Sequence, residues 1–441
     1  MKLHRNATPI RALLILSCVL PGLGMLLRPS SAIAASISTH NSRIADPATA
    51  PPNWPWRGLV LESPLDLGKL RPLDGSTPAE IQLLYEHLGI NSVHLYLYPD
   101  KVYEHCENAQ PACTTDGAWH ATLAWLGGML QECEELGITA IVGLKAVEVA
   151  GTDPQRGYYD LTSGPGFWED PDLNGPPIEQ LYRQTKQLAM FVQRYNVDHA
   201  YDIIPEPTEL TAAGTAEQPA GWPTIQENIV QAVHQVDPDA WVVVKPGPWA
   251  AALAYRNFAP LPDPNLVYAI HVYDPQQYAK QGLPGHEDMF GAPWPGTYHG
   301  PTGATYYDEQ TVENDMQTAK NFVDQVDPPY YMYVGEFSVV TYACDSNVWL
   351  QNLIDIWNNQ MGTPWGWSYY SQGGSPSWSP DYTYTVTPAT APAQATTVNY
   401  AVAPGTPPNT ARWADLETLF NGSPPPPAEG YCQSPSAPSH R

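Results

Sequence analysis

The segment Tyr201-Asp202-Ile203-Ile204-Pro205-Glu206-Pro207 predicts a short buried strand that ends in a carboxylate. Its two isoleucines are β-branched and favour a strand, whereas its two prolines prevent the hydrogen-bond ladder from continuing. The segment Tyr331-Met332-Tyr333-Val334-Gly335-Glu336-Phe337 has the same form, because an apolar run again leads to a glutamate. In a barrel of parallel strands, catalytic residues lie at the carboxyl ends of the strands. Two such glutamates therefore predict a pair of carboxylates at one end of a barrel.

Short apolar strands alternate with helical patterns along most of the chain. We predict eight strands, over Arg57–Glu62, Asn91–Leu97, Thr139–Leu144, the run into Glu206, Trp241–Lys245, Leu266–Ile270, the run into Glu336 and Trp365–Tyr370. Helices are predicted over 78–89, 119–136, 177–195, 224–236, 313–325, 347–358 and 411–420, with the weakest helical pattern after the fifth strand. At the first helix, Thr77 and Glu80 have the spacing of a capping box, and Pro78 suits the first helical position.

This alternation predicts an α/β fold with a parallel sheet, because each parallel strand needs a segment that crosses back over the sheet. Eight units predict a closed (β/α)8 TIM barrel. A doubly wound open sheet is the alternative, and we disfavour it because no glycine-rich phosphate loop follows the first strand. Long segments that follow strands are expected as long loops at the C-terminal face of the barrel, and these cover 98–117, 145–176, 273–308 and 371–410.

The composition and the N-terminal segment indicate an exported protein. The formal net charge of −25 disfavours nucleic acid and anionic membranes as partners. Residues 1–35 have the pattern of a secretory signal peptide, with a basic start, an apolar segment and a cleavage site at Ala32-Ile33-Ala34. An uncleaved anchor and a lipoprotein attached through Cys18 are the alternatives.

We expect cleavage, followed by secretion to the extracellular space or the periplasm without membrane attachment. The predicted organisation of the chain is the signal peptide, a flexible leader over 36–55, a (β/α)8 catalytic domain over 56–422 and a Pro-rich tail over 423–441.

Export permits disulfide bonds. Six cysteines include Cys18 in the signal segment, so five remain after cleavage. Cys106 and Cys113 share a polar loop and are expected to pair, whereas Cys344 and Cys432 would tie the C-terminal tail to the body. Cys133 lies in a helical pattern and is expected as a buried free thiol, since an odd number leaves one cysteine without an internal partner.

The order of several motifs resembles family 5 of the glycoside hydrolases, a cellulase-like family within the clan of (β/α)8 retaining enzymes. The resemblance covers residues 55–422. The motifs that match are Gly89-Ile90-Asn91-Ser92-Val93 before strand two, Ile204-Pro205-Glu206-Pro207 after strand four, Ile270-His271-Val272-Tyr273 on strand six, Val334-Gly335-Glu336-Phe337 on strand seven and Gly366-Trp367-Ser368-Tyr369-Tyr370 on strand eight.

The resemblance implies that Glu206 is the acid/base and Glu336 the nucleophile of a double displacement. One carboxyl must donate a proton to the leaving oxygen while the other, ionised, attacks the anomeric carbon, at a separation of about 5–5.5 Å. His271 and Tyr273 point the same way from one strand and are implied to bind substrate, with Tyr273 also bonded to the nucleophile. This mechanism requires neither a metal nor another cofactor.

Further candidates for substrate binding come from aromatic residues and from departures from the family pattern. Flat rings at strand ends suit the apolar face of a sugar, and the candidates are Trp367, Tyr370, Trp249 and Trp294, with Tyr96 and Tyr98 weaker. The family usually has Arg on strand two, His near the end of strand three, Asn before the acid/base and Trp on strand eight. The corresponding residues here are His94, Lys145, Pro205 and Tyr370, which indicates a divergent member, and we include His94 and Lys145 among the candidate binding residues.

These features predict hydrolysis of a β-linked polysaccharide or oligosaccharide. An endo-β-glucanase of cellulase type is the leading interpretation, and a mannanase is the next. Two alternatives share the barrel: a non-catalytic carbohydrate-binding protein, and a transglycosylase that passes the sugar to another sugar instead of to water.

Overall fold

The protein forms a closed barrel of eight parallel strands in a computed structural model. The structure describes residues 50–63, 77–107, 114–148, 158–160, 176–211, 215–300, 303–325, 329–372, 375–387, 397–422, 430 and 432. The predicted signal peptide, most of the predicted leader, Cys113 of the expected Cys106–Cys113 pair and most of the tail lie outside these residues.

The barrel strands follow one another in chain order around the barrel, and the last pairs with the first. They are β1 (Arg57–Glu62), β2 (Ser92–Leu97), β3 (Thr139–Leu144), β4 (His199–Ile203), β5 (Trp241–Val244), β6 (Leu266–Val272), β7 (Tyr331–Phe337) and β8 (Gly366–Gln372). The predicted (β/α)8 fold is confirmed, because helices occupy the intervals between the strands. The strands are buried on both faces, which explains why the sequence shows nearly continuous apolar runs.

Seven of the eight main helices in the described residues lie close to the predicted ranges, whereas the second lies within 98–117, which is predicted as a long loop. The eight are α1 (Pro78–Leu88), α2 (Pro99–Glu107), α3 (Thr115–Leu136), α4 (Pro176–Val192), α5 (Trp222–His234), α6 (Glu309–Val323), α7 (Ser346–Asp355) and α8 (Ala411–Asn421). The weak interval after β5 contains only a 3₁₀ helix over Ala252–Asn257. The capping box predicted at Thr77 is wrong, because the Thr77 side chain makes no capping bond and Glu80 instead accepts a hydrogen bond from Gln372 of β8.

The long connections that follow the strands contain small hairpins in addition to helices. These pair Ala146–Glu148 with Tyr158–Asp160, Glu209–Leu210 with Ala216–Glu217, Gly296–Gly300 with Gly303–Tyr307, and Tyr382–Thr387 with Thr397–Val402. They follow β3, β4, β6 and β8, so all four lie on the side of the barrel where the parallel strands end.

The interior of the barrel has an aromatic base and a polar layer above it. Trp56 and Trp241 belong to the inner apolar cluster, and Trp56 packs edge-on against Tyr333 at 5.5 Å between ring centroids. In the polar layer, Lys245 is paired with Asp202, and both side chains are completely buried. Burying charges costs several kcal/mol per ion unless they are paired, so this layer depends on its internal partners.

One disulfide and one free thiol agree with expectation. Cys344 and Cys432 are bonded with 4.8 Å between their Cα atoms, which ties the C-terminal segment to the loop after β7. Cys133 is a buried free thiol on α3. Among the described helices, none combines the length and the apolar character that a membrane span requires.

A buried charge cluster lies where β4 begins. His199 Nδ1 is 2.8 Å from the Val197 carbonyl oxygen, and Nε2 is 2.7 Å from Asp237 Oδ2. Tyr201 donates to the same Asp237 oxygen at 2.9 Å. Burial lowers the pKa of His199, but the bonds to Asp237 and to the carbonyl raise it more, so the net shift is upward. Burial raises the pKa of Asp237, but the contacts with His199 and Tyr201 lower it by more, so the net shift is downward.

Replacing the histidine should therefore flatten the dependence of stability on pH. A raised His199 pKa stabilises the fold below about pH 6.5 and is lost as the pH rises through the folded value, whereas a lowered Asp237 pKa stabilises it above about pH 4. The His199–Asp237 pair therefore stabilises the folded protein most between about pH 4 and about pH 6.5. We expect His199→Gln to lose about 2 kcal/mol there and less outside that window, measured by denaturant unfolding from acid to neutral pH. An equal loss at every pH would contradict this assignment.

Candidate active site

A bulge in β7 turns the Glu336 side chain into the barrel. The ladder between β6 and β7 pairs Ile270 with Val334 and then His271 with Glu336, so Gly335 is the extra residue. Bulges re-aim side chains next to active sites. A Cβ atom on Gly335 would lie 3.1 Å from His271 Nε2, so a glycine lets the imidazole come close.

Three side chains from three other strands or strand ends bind the Glu336 carboxylate. Tyr96 donates to Oε1 at 2.6 Å and Lys145 donates to the same oxygen at 3.0 Å. Tyr273 donates to Oε2 at 3.1 Å. Burial raises the pKa of Glu336, but Lys145, His271 and the Tyr96 hydrogen bond lower it by more, so the net pKa lies well below its usual range. Glu336 is therefore ionised at neutral and mildly acidic pH.

The surroundings of Lys145, the cation beside Glu336, favour its charged form and hold it in place. Burial lowers the pKa of Lys145, but the charges of Glu336 and Glu206 raise it by more, so the net shift is upward. Its ammonium lies 4.1 Å from the centre of the Tyr96 ring, within the range of a cation–π contact. Gly143 on β3 makes room for that ring, since a Cβ atom there would be 2.5 Å from Tyr96 Cδ1.

The second predicted carboxylate lies across from Glu336. The chain turns after β4 at Ile204, which has a φ of 56°, a conformation that costs a β-branched residue about 1–2 kcal/mol. Glu206 Oε1 lies 2.8 Å from His271 Nδ1, and the same nitrogen is 3.8 Å from Glu336 Oε2. One oxygen of each carboxylate lies within 4.8 Å of the other. The Glu206 side chain is 19% exposed and that of Glu336 only 5%, so Glu206 is the more accessible group.

This geometry provides one buried, ionised carboxylate and one more accessible carboxyl group at short range. Such a pair has the chemical elements of a displacement at a sugar carbon, with one group attacking and the other exchanging a proton. His271 lies between the two carboxylates, so it fixes their relative position.

Two groups of described residues bring together three side chains that can ligate metals. The first is Glu206, His271 and Glu336, and the second is Cys344, Asp345 and Cys432. In the first group, His271 Nδ1 is already bonded to Glu206 and Lys145 balances the charge of Glu336. In the second, both sulfur atoms form the disulfide. Neither group argues for a metal.

The structure brings together several of the predicted site residues. Lys145, His271 and Tyr273 contact the two glutamates directly. Tyr370 on β8 donates to Glu62 at 2.7 Å. Trp249 is half-buried beside this region, and its backbone N–H donates to Thr208 Oγ1 near the Glu206 turn.

Three predicted binding residues lie elsewhere, and we correct them. Trp367 is 1% exposed and packs against Phe337 and Phe420 outside the barrel, because it alternates with the inward-facing Ser368 on β8. Trp294 is 3% exposed and its indole N–H donates to Asn352, which makes it a packing residue.

His94 is completely buried in the polar layer below the site. Its Nε2 lies 3.3 Å from Asp202 Oδ2, and its Nδ1 lies 3.2 Å from the Tyr333 hydroxyl. Desolvation holds its pKa well below the usual value. His94 therefore supports the floor of the site and does not reach a substrate.

Two further residues belong to the site and were missed. Glu62 ends β1 and lies close enough to Lys145 and Glu336 to interact with their charges, and the strand-end reasoning that found Glu206 and Glu336 applies to it equally. Trp378 packs edge-on against Tyr273 at 5.9 Å between ring centroids. Trp378 follows β8 in an irregular loop, where no strand pattern predicts its direction.

Removing the lysine charge should raise the pKa of Glu336. We expect Lys145→Met to move the titration of this carboxyl toward its ordinary value, by at least about one pH unit, because the largest opposing effect to burial is lost. Nuclear magnetic resonance of protein with labelled glutamate side chains measures it, and Glu336→Gln identifies the signal. Lys101→Met, which removes an exposed lysine charge, is the matched control and should leave the signal unchanged. An unchanged Glu336 titration in Lys145→Met would contradict the electrostatic assignment.

The chain was compared with known families, curated proteins and solved structures. The family model described as Cellulase (glycosyl hydrolase family 5) matches residues 72–373. No curated protein matches. The endoglucanase Cel5A from the hyperthermophilic Thermotoga maritima is 15% identical, with a TM-score of 0.50 over 74% of this chain and 91% of that chain. Its complex with a mannotriose substrate is 14% identical, with a TM-score of 0.53 over 82% and 97%.

The cellulose synthase subunit Z from Clostridioides difficile is 13% identical, with a TM-score of 0.52 over 74% of this chain and 94% of that chain. At these identities, the solved structures show a shared fold. The family model, however, spans more than half of the chain. The protein is therefore a glycoside hydrolase that belongs to glycosyl hydrolase family 5.

Proposed function

We propose that the protein is a secreted, retaining glycosidase that hydrolyses a β-linked glycan, with Glu336 as the nucleophile and Glu206 as the acid/base. The observation that carries the proposal is the different environment of two carboxylates at short range. Glu336 is buried beside the Lys145 ammonium, whereas Glu206 is more exposed and bonded to His271.

In the first step, Glu206 donates its proton to the glycosidic oxygen while an oxygen of Glu336 attacks the anomeric carbon. The bond to the leaving sugar breaks, and a covalent glycosyl-enzyme forms. In the second step, Glu206 takes a proton from the attacking water, and the bond between the sugar and Glu336 breaks. The sugar leaves with its original anomeric configuration.

The residues around Glu336 support its role as nucleophile. Tyr96 and Lys145 bind one carboxylate oxygen, and Tyr273 binds the other, so the carboxylate is held in one orientation. Lys145 places a positive charge beside the Glu336 carboxylate, whereas His94, at the position where the family usually has an arginine, is turned into the core. The ammonium lowers the basicity of Glu336 and keeps it ionised for attack.

The carboxylate separation favours catalysis over binding alone. A retaining pair lies about 5–5.5 Å apart and an inverting pair about 6.5–9.5 Å apart. Here one oxygen of each carboxylate lies within 4.8 Å of the other, which fits the shorter, retaining separation. Pro205 replaces the asparagine that commonly binds the sugar 2-hydroxyl, and a proline side chain has no group that can make this hydrogen bond.

The proposed substrate is a β-glucan, with a β-mannan as the second candidate. The relative from Thermotoga maritima has been crystallised with cellobiose and with mannotriose. We propose endo-acting hydrolysis by the domain over 56–422 after removal of the signal peptide over 1–35. The Cys344–Cys432 disulfide fits an oxidising compartment outside the cytoplasm.

Conservative amide variants test the two assigned roles. We expect Glu206→Gln and Glu336→Gln each to lower kcat on the best glycan of a panel of β-glucans, mannans and xylans by at least about 100-fold. Each amide keeps the shape of the carboxyl but cannot exchange a proton or attack. Glu217→Gln, which neutralises an exposed carboxylate on a nearby hairpin, is the matched control. Activity that survives in either catalytic variant would overturn the assignment.

The anomeric form of the first product tests the retaining mechanism. Double displacement predicts release of the β-anomer, seen by nuclear magnetic resonance before mutarotation. Initial release of the α-anomer would contradict Glu336 as a covalent nucleophile. Longer products in the presence of an added acceptor sugar, formed faster than hydrolysis products, would favour the transglycosylase instead.

A further inference from the structure

A third carboxyl group, that of Glu62, lies near Lys145 and Glu336 and has no part in the proposed chemistry. Glu62 ends β1, and its Oε1 accepts hydrogen bonds from Tyr98 at 3.1 Å and from Tyr370 at 2.7 Å. Tyr98 directly follows β2 and Tyr370 lies on β8, and these are the strands on either side of β1. Glu62 is 6% exposed and Glu336 is 4% exposed. Glu62 is therefore about as accessible to a substrate as Glu336, the proposed nucleophile.

Tyrosines at neighbouring positions of one chain segment contact Glu62 and Glu336. Tyr96 and Tyr98 are two residues apart and face the same side of this segment. Tyr96 donates to Glu336, and Tyr98 donates to Glu62. Lys145 lies above both rings, at 4.1 Å and 6.0 Å from their centres. The two carboxyl groups thus belong to one continuous surface.

The barrel order indicates which half of the substrate meets Glu62. Glu206, the proposed acid, follows β4, which lies across the barrel from β1. The leaving sugar must be next to Glu206, because its oxygen receives the proton. The sugar that becomes attached to Glu336 therefore extends the other way, toward β8, β1 and β2.

We propose that Glu62 is a substrate-binding residue that hydrogen-bonds a hydroxyl group of the sugar on the glycone side of the cleaved bond. The inference rests on the proposed function, because it assumes the roles of Glu206 and Glu336. Tyr98 and Tyr370 act as positioning residues that hold the Glu62 carboxyl toward the cleft.

The surroundings of Glu62 favour the neutral form of its carboxyl more than water does, because they raise its pKa. The groups that face it are Tyr98 after β2, Tyr370 from β8, Lys145 after β3 and Glu336 from β7. Burial raises its pKa, the Tyr370 bond and Lys145 lower it, and the net shift is upward. A protonated carboxyl can both donate to and accept from a sugar hydroxyl, and an ionised one can only accept.

Binding measured in a catalytically silenced protein tests this role. The parent is full-length Glu206→Gln, and the probes are cellotetraose and mannotetraose, titrated by calorimetry at about pH 5 and about pH 8. Three variants are built on the parent: Glu62→Ala, Glu62→Gln and the surface control Glu217→Gln. Thermal unfolding of each variant monitors folding.

We expect Glu62→Ala to weaken binding of the preferred probe by at least about tenfold, which corresponds to about 1.4 kcal/mol. Glu62→Gln copies the neutral carboxyl and should stay within about threefold of the parent at the lower pH. The parent should bind more weakly at the higher pH, and Glu62→Gln should not, because an amide does not titrate in this range. Glu217→Gln should follow the parent at both pH values.

Unchanged affinity in Glu62→Ala would overturn this inference and leave the proposed function intact. If Glu62→Gln folds and binds as weakly as Glu62→Ala, the contact requires a charge, and the hydroxyl assignment is overturned. If Glu62→Ala does not fold, the pH dependence of probe affinity in Glu62→Gln provides the test. A pH dependence equal to that of the parent would then overturn the proposal. Probe binding that depends on Glu62 in a protein whose wild type hydrolyses no glycan would count against the proposed function alone. Absence of binding by the parent would count against both.

Discussion

The buried ion pair between Glu336 and Lys145 is the constraint on which the site depends. A carboxylate with so little exposure is costly unless a cation and hydrogen-bond donors are fixed around it. Those partners come from β2, β3 and β6, while the carboxylate comes from β7. Only closure of the barrel brings these side chains within hydrogen-bond distance of Glu336, so the stability of the fold and the ionisation of Glu336 are linked.

Two layers of side chains inside the barrel support the Glu336–Lys145 pair from below. An aromatic base around Trp56 and Trp241 fills the bottom, and the Asp202–Lys245 pair lies above it. His94 and the Tyr333 hydroxyl complete the polar layer below Glu206 and Glu336, the proposed catalytic residues. Because each layer is packed or paired within itself, the side chains above it have a rigid floor. Catalytic groups held in this way lose little to reorganisation during the reaction.

The three carboxyl groups in and beside the proposed site differ in their surroundings. Glu336 is held ionised by a lysine, Glu206 is bonded to a histidine and more exposed, and Glu62 is held by two phenols. The chemistry of each group follows from its partners more than from its residue type. This family member also lacks the usual arginine on strand two. Lys145 and Tyr96 reach the Glu336 carboxylate from adjacent strands, so its charge partner and one of its hydrogen-bond donors come from neighbouring positions in the barrel.

The sequence by itself determined the strand and helix order and the two glutamates at strand ends, because period-two and period-3.6 patterns and strand-stopping prolines are local properties. It also contained enough to place Trp367 outside and Tyr370 inside, since alternate residues on one strand face opposite sides. Glu62 was accessible to the same reasoning. Tertiary structure alone decided the rest. The bulge at Gly335 depends on the ladder with β6, and the burial of His94 and Trp294 depends on partners far away in sequence. The pairing of Lys145 with Glu336 joins residues 191 positions apart, and no local pattern encodes a contact that only a closed barrel creates.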